Sequence, residues 1–125
     1  MKLLLDTHTL LWWLNDDPKL AGEARKAIAS PKSEIFYSPV SIWEVSIKKA
    51  AGKLKAPADF PDRVKDENFT ELLIKSEHAW LAGLLPRHHD DPFDRMLVAQ
   101  SKCEGFTLVT RDSWAARYGV AVLSA

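Results

Sequence analysis

Leu3-Leu4-Leu5-Asp6 near one end of the chain and Leu108-Val109-Thr110-Arg111-Asp112 near the other share one design, a short aliphatic run that stops at an acid. Unbroken apolar runs of this length, with no polar alternation, read as strands buried on both faces, as in a parallel sheet. Working outward, Lys2–Leu5, Glu34–Tyr37, Phe69–Ile74, Phe106–Val109 and Val120–Leu123 read as strands. Between them the pattern turns helical at Thr7–Asn15, Pro18–Ala29, Ser38 to Ala51, part of Ala56–Asp66, Ser76–Leu84, Asp91 to Cys103 and Asp112–Tyr118. Ser38-Pro39 supplies an N-cap followed by proline at the first helical position, Ser76 is the expected cap of its helix, and Gly52 and Gly105 are natural stops. Strands alternating with helices predict an α/β fold whose mostly parallel central sheet is covered by helices on both faces. There is no repeat, low-complexity segment or linker, so residues 1–125 are expected to form one domain. In such sheets, ligands bind beyond the carboxyl ends of the strands.

Composition narrows the function. The 125 residues are 46% hydrophobic, with 17 basic and 17 acidic side chains and a formal net charge of zero. A domain that holds nucleic acid by bulk electrostatics is usually basic, so any such role must use local patches or metal ions that offset the acids. The single cysteine, Cys103, cannot make an internal disulfide or a thiolate cage, which fits a reducing cytoplasm. MKLLLD reaches an acid before a secretory apolar region develops, and Leu10–Leu14 falls far short of the roughly 20 residues needed to cross a bilayer. A cytoplasmic location with no membrane contact is expected.

Asp6 and Asp112 each follow a strand and could cap the next helix or coordinate a metal at the carboxyl edge. If the sheet is parallel, both strands deliver an acid to the same edge. Glu44 lies within Ser41-Ile42-Trp43-Glu44-Val45, between one stripe of Val40, Trp43 and Ile47 and another of Ile42, Val45 and Lys49. Burial between two packing faces would oblige its carboxylate to find a partner. In Asp91-Pro92-Phe93-Asp94, Asp91 suffices as the helix cap, which leaves Asp94 for another task. Carboxylates gathered in one pocket repel and raise one another's pKa, a cost that a divalent cation removes. Oxygen ligands suit Mg²⁺ or Mn²⁺, which can activate water and offset charge on a phosphate under in-line attack.

Taken together, Leu5-Asp6-Thr7-His8, Ser38-Pro39-Val40-Ser41-Ile42-Trp43-Glu44, the stretch from His89 through Asp91-Pro92-Phe93-Asp94-Arg95 to Leu97-Val98-Ala99-Gln100, and Leu108-Val109-Thr110-Arg111-Asp112 resemble the PIN domain. More narrowly, they resemble the VapC-type toxins of type II toxin–antitoxin pairs. The resemblance spans nearly the whole chain, and Asp-Pro-Phe-Asp-Arg followed by Leu-x-Ala-Gln is its most specific part. It implies that Asp6, Glu44, Asp94 and Asp112 are the catalytic, metal-binding acids. It also implies Mg²⁺ or Mn²⁺ as cofactor, endoribonuclease activity on an RNA substrate, homodimers, and a small antitoxin partner that blocks the site. The turn Thr110-Arg111-Asp112 departs from the Asn-rich turn of many members, whose acid comes later.

Around this set, Arg95 and Arg111 are candidates to hold RNA phosphates, and Thr7 and Thr110 to order a carboxylate or a metal-bound water. His88 and His89 read as loop residues near the RNA, and His8 could border the site. Leu10-Leu11-Trp12-Trp13-Leu14 is apolar nearly all round, which predicts a second face for a like chain or an antitoxin helix. A haloacid-dehalogenase-type phosphatase would need a second acid two residues after Asp6, where His8 stands, and no Walker motif is present. The alternative function is a non-catalytic PIN-like scaffold that binds RNA or protein.

Overall fold

The computed structural model describes all 125 residues. Its strands are β1 (Lys2–Leu5), β2 (Glu34–Tyr37), β3 (Thr70–Glu71), β4 (Thr107–Thr110) and β5 (Val122–Ser124). They form one five-stranded sheet in the order β3-β2-β1-β4-β5, and every pairing is parallel. The helices are α1 (Thr7–Leu14), α2 (Gly22–Ala29), α3 (Pro39–Ala50), α4 (Phe60–Asp66), α5 (Ser76–Leu84) and α6 (Pro92–Glu104), with a 3₁₀ helix at Ser113–Tyr118.

Successive strand residues serve opposite faces, which is why the runs are apolar throughout. Leu3, Leu5, Ile35, Tyr37 and Val109 pack with Leu10, Ile28, Phe60 and Val64 on one side. Leu4 and Leu108 pack with Leu85, Leu97, Val98 and Ala99 on the other. Helix α3 starts where the Ser38 hydroxyl accepts from the Val40 N–H at 3.1 Å, with Pro39 at its first position. It gives Val40 to one core and Val45 to the other, so it bridges the two layers. Helix α6 is capped by Asp91 and ends at Gly105, whose φ of 70° is a left-handed conformation that side chains beyond glycine adopt only with strain.

From β1 the chain moves outward through β2 to β3, then returns to place β4 on the other flank of β1. The strand order thus reverses between β1 and β4, and the crevice beyond their carboxyl ends is the expected ligand position.

Several boundaries differ from the sequence reading. The helix expected from Pro18 starts only at Gly22, because the Asp17 carboxylate accepts from the Lys19 N–H at 2.9 Å and closes a local turn. The strand expected over Phe69–Ile74 keeps two residues, since it is an edge strand with only β2 to pair with. Ser76 is not the cap of α5. The Lys75 N–H donates instead to His78 Nδ1 at 3.0 Å, so an imidazole closes that helix start. The expected second face of α1 is partly covered within the chain, with Trp12, Trp13 and Leu14 half-buried. Trp13 donates to Glu67 at 3.2 Å and packs on Phe69, while the Arg111 guanidinium lies 4.2 Å over the Trp12 ring.

Candidate active site

Asp6 leaves β1 at the reversal point, with its N–H bonded to the Val109 carbonyl at 3.1 Å. The residue is 5% exposed, and its Oδ1 accepts from the Thr9 N–H at 2.9 Å, which caps α1. Capping and site membership are therefore compatible at this position. Burial raises the Asp6 pKa, and hydrogen bonds from Thr110 and Thr9 offset part of the rise. The Thr9 hydroxyl donates to the Val109 carbonyl at 3.1 Å, which ties the start of α1 to the end of β4.

Glu44 is 3% exposed and does have partners. Its Oε1 accepts from the Thr7 hydroxyl at 2.6 Å, with the Ser41 hydroxyl 3.0 Å from Thr7 Oγ1. Its Oε2 is paired with the Lys48 ammonium one helical turn later. Of the two expected flanking stripes, one is packed at Ile42 and Val45 and the other only at Val40, which is buried. Val45 is buried and Ile42 half-buried, whereas Trp43 and Ile47 are 59% and 42% exposed.

Asp94 stands in the first turn of α6, and Asp91 Oδ1 alone caps that helix, accepting from the Phe93 and Asp94 N–H groups at 2.8 and 3.3 Å. The Asp94 pKa is pushed up to about 8, first by burial and then by the charges of Asp91, Glu44, Asp6 and Asp112. Those are the remaining expected ligands plus the cap, so acids from β1, α3, α6 and the end of β4 act on a common locality. Asp112 is the outermost, exposed to solvent, with its N–H donating to the Thr110 hydroxyl at 3.1 Å. Glu44, Asp91 and Asp94 all favour the charged form of Lys48, opposed by its partial burial.

The expected phosphate-binding arginines are occupied. Arg95 donates to the carbonyls of Leu85, Pro86 and His89 at 2.8, 3.1 and 3.1 Å, and to Gly83 at 3.4 Å. Its task here is to clamp the loop before α6. Arg111 Nε donates to the Ala125 carbonyl at 3.2 Å, and its terminal nitrogen reaches the Lys19 carbonyl. Of the histidines, His89 lies beside the acids, with Nε2 3.6 Å from Asp94 Oδ2 and its ring centroid 3.9 Å from that of Trp114. His88 packs edge-on against Tyr118 instead. Lys48 and Trp114 were missed by sequence reasoning. The Glu44–Lys48 spacing of four on a helix was a usable signal for the first, and Trp114 carried none.

The donor set of carboxylates and hydroxyls fits a hard divalent cation such as Mg²⁺ or Mn²⁺. The neighbouring acids that, after burial, raise the Asp94 pKa impose a cost that such an ion would remove. The most compact trio of potential ligands lies elsewhere, where Glu77, His78 and Glu104 bring one atom each within 4.8 Å of one another. It is a poor metal site. His78 Nδ1 accepts a backbone N–H, which leaves the proton of the neutral ring on Nε2, and this buried atom lies 3.6 Å from Glu104 with no hydrogen-bond partner. The largest cleft, about 420 Å³, is lined by Val40, Trp43, Ile74, Met96 and Arg87 among others and by none of the four acids.

With this geometry in hand, comparison places the chain. The pattern of the PIN domain matches residues 3–121, and the chain belongs to the PIN-domain family. Among solved structures it is similar to VapBC2 from Rickettsia felis bound to a DNA fragment from their promoter, with TM-score 0.73, 14% identity and 98% of each chain covered. It is similar also to DNA-bound VapBC from Salmonella typhimurium, with TM-score 0.70, 20% identity, and 98% of this chain and 97% of that one covered. A third is VapBC-1 from nontypeable Haemophilus influenzae, with TM-score 0.66, 16% identity, and 99% and 98% covered. No curated protein sequence matches the chain.

Proposed function

We propose that this protein is a metal-dependent endoribonuclease that acts as the toxin of a toxin–antitoxin pair in a reducing cytoplasm. The observation that carries the reading is the convergence of Asp6, Glu44, Asp94 and Asp112 beyond the carboxyl ends of β1 and β4, where the charges of the other three help to raise the Asp94 pKa. In this reading the four acids hold Mg²⁺ or Mn²⁺, which supplies an activated water and offsets phosphate charge. Thr7 orients Glu44, and Thr110 steadies Asp6 and the turn that carries Asp112. The assembly partners would be a second copy of the chain and a small antitoxin. The similarity in fold to VapBC complexes supports that part.

The test is RNA cleavage by purified chain, stripped of any bound partner, with Mg²⁺ or Mn²⁺ and then with EDTA. Cleavage should need the metal and fall by at least about 10³-fold in Asp6→Asn. Folded protein that binds no metal in calorimetry and leaves several RNAs intact would instead support the binding scaffold.

In this reading a partner surface lies on α3 and α5, whose apolar side chains are more exposed than the half-buried Trp12, Trp13 and Leu14 of α1. Trp43, Ile47, Trp80 and Leu84 are exposed there, with Leu73 and Ile74 nearby in sequence before α5. Trp43→Ser with Trp80→Ser is expected to lower the oligomer mass in light scattering or to weaken antitoxin binding at least tenfold, about 1.4 kcal/mol. Unchanged mass and unchanged binding would remove this surface from consideration.

A further inference from the structure

A site that handles a polyanion needs a cation facing the strand, and the acids supply none. The chain has no net positive charge to help. Around the acids the basic side chains are few, and most are committed. All of Arg95's observed bonds go to loop carbonyls. Arg111 is held by two carbonyls and by the face of Trp12. Arg87 is paired only loosely with Asp90 at 3.5 Å, and its side chain is 87% exposed, so nothing fixes its position. Lys48 differs from all three. Its ammonium is anchored on Glu44, stands 5.9 Å from the Phe93 ring centroid on α6, and its side chain keeps 34% exposure. An ammonium has three donors, and Glu44 is its single hydrogen-bond partner here.

We propose that Lys48 is the phosphate-binding side chain of the site, held at the acids by Glu44 so that its remaining donors meet a phosphate of the single-stranded substrate. The inference rests on the nuclease reading and deepens it. Glu44 then has two tasks, on Oε1 through Thr7 and on Oε2 through Lys48, and helix α3 delivers both the acid and the cation from adjacent turns. Lys48 touches the substrate strand without taking part in bond making or breaking. It binds by charge, which is why methionine, of similar length, is the informative replacement and arginine the conservative one.

The experiment has two arms. In the first, a single-stranded RNA oligonucleotide is titrated into Asp6→Asn protein over a series of salt concentrations, with Lys48 intact or changed to Met or Arg. Loss of one phosphate contact should weaken binding about three- to tenfold and lower the log–log salt slope by about 0.7. Lys48→Arg should keep the slope. In the second, Mn²⁺ binding to the otherwise native chain is measured by calorimetry without RNA. Removing a cation from beside the ligands should leave Mn²⁺ affinity unchanged or tighten it, whereas a lysine that merely props up Glu44 would weaken it when lost. An unchanged salt slope in Lys48→Met, or weaker Mn²⁺ binding, overturns the proposal and leaves the nuclease reading intact. Absence of both Mn²⁺ and RNA binding in the Lys48-intact proteins overturns both.

Discussion

Asp94→Asn should make the protein more stable in EDTA and at the same time abolish its metal-dependent cleavage. The sign follows from linkage. The Asp94 carboxyl titrates at about 8 in the folded chain, against about 4 for an unperturbed aspartate. Between those values the folded state holds a proton that the unfolded state has released, so stability falls as pH rises from about 4 to 8. Asparagine carries no such proton and no charge. Shared among five acids and softened by partial exposure, the gain at pH 8 is expected to be on the order of 2 kcal/mol. Urea titrations of both proteins in EDTA at pH 5 and pH 8 would check it, with the larger difference at pH 8. Mg²⁺ should restore the stability of the unaltered protein by mass action and do little for the variant. A variant that is less stable in EDTA, with an unchanged pH slope, would show that Asp94 serves the helix start and not a cation site.

Arg95→Ala carries the second large effect, and it separates two accounts of one residue. The sequence made Arg95 a candidate phosphate ligand, because it follows a proposed metal ligand. The structure turns its guanidinium to four carbonyls between Gly83 and His89. Charge-assisted bonds are the stronger kind, and only a planar fork reaches several carbonyls at once. The expected loss is about 2–4 kcal/mol in unfolding free energy, and Arg95→Lys should recover less than half of it. RNA binding to Asp6→Asn protein should keep its salt slope when Arg95→Ala is added, under conditions where the variant is folded. A stable Arg95→Ala protein with a reduced slope would reinstate the phosphate role.

The contrast shows what a sequence carries. Leu3–Leu5 and Leu108–Val109 were readable because burial on both faces leaves no room for a polar residue, and Asp6 and Asp112 because they break those runs. Helices α3 and α6 were readable from Ser38-Pro39 and Asp91-Pro92, caps whose partners lie two or three residues away. What failed depended on distant chain. Strand β3 is short because only β2 lies beside it, and Trp12 is covered by Arg111 from the far end of the sequence. Asp94's place among the acids was legible by subtraction, once Asp91 was seen to be a sufficient cap. The occupation of Arg95 was not, since a loop that presents four carbonyls to one side chain leaves no trace in residue types.

The position of β1 has a consequence for how the molecule comes into being. It precedes the other four strands in sequence and is the middle strand of the sheet, and its partner on one flank is β4, with Leu5 opposite Val109. A chain emerging from a ribosome therefore carries its most apolar strand half-paired until β4 has been translated. Pairings so remote in sequence form slowly, and an open strand edge invites association with other chains meanwhile. Asp6 and Glu44 lie in the first half of the chain and Asp94 and Asp112 in the second, so the four acids are complete only once β4 pairs with β1 and brings Asp112 to the same edge.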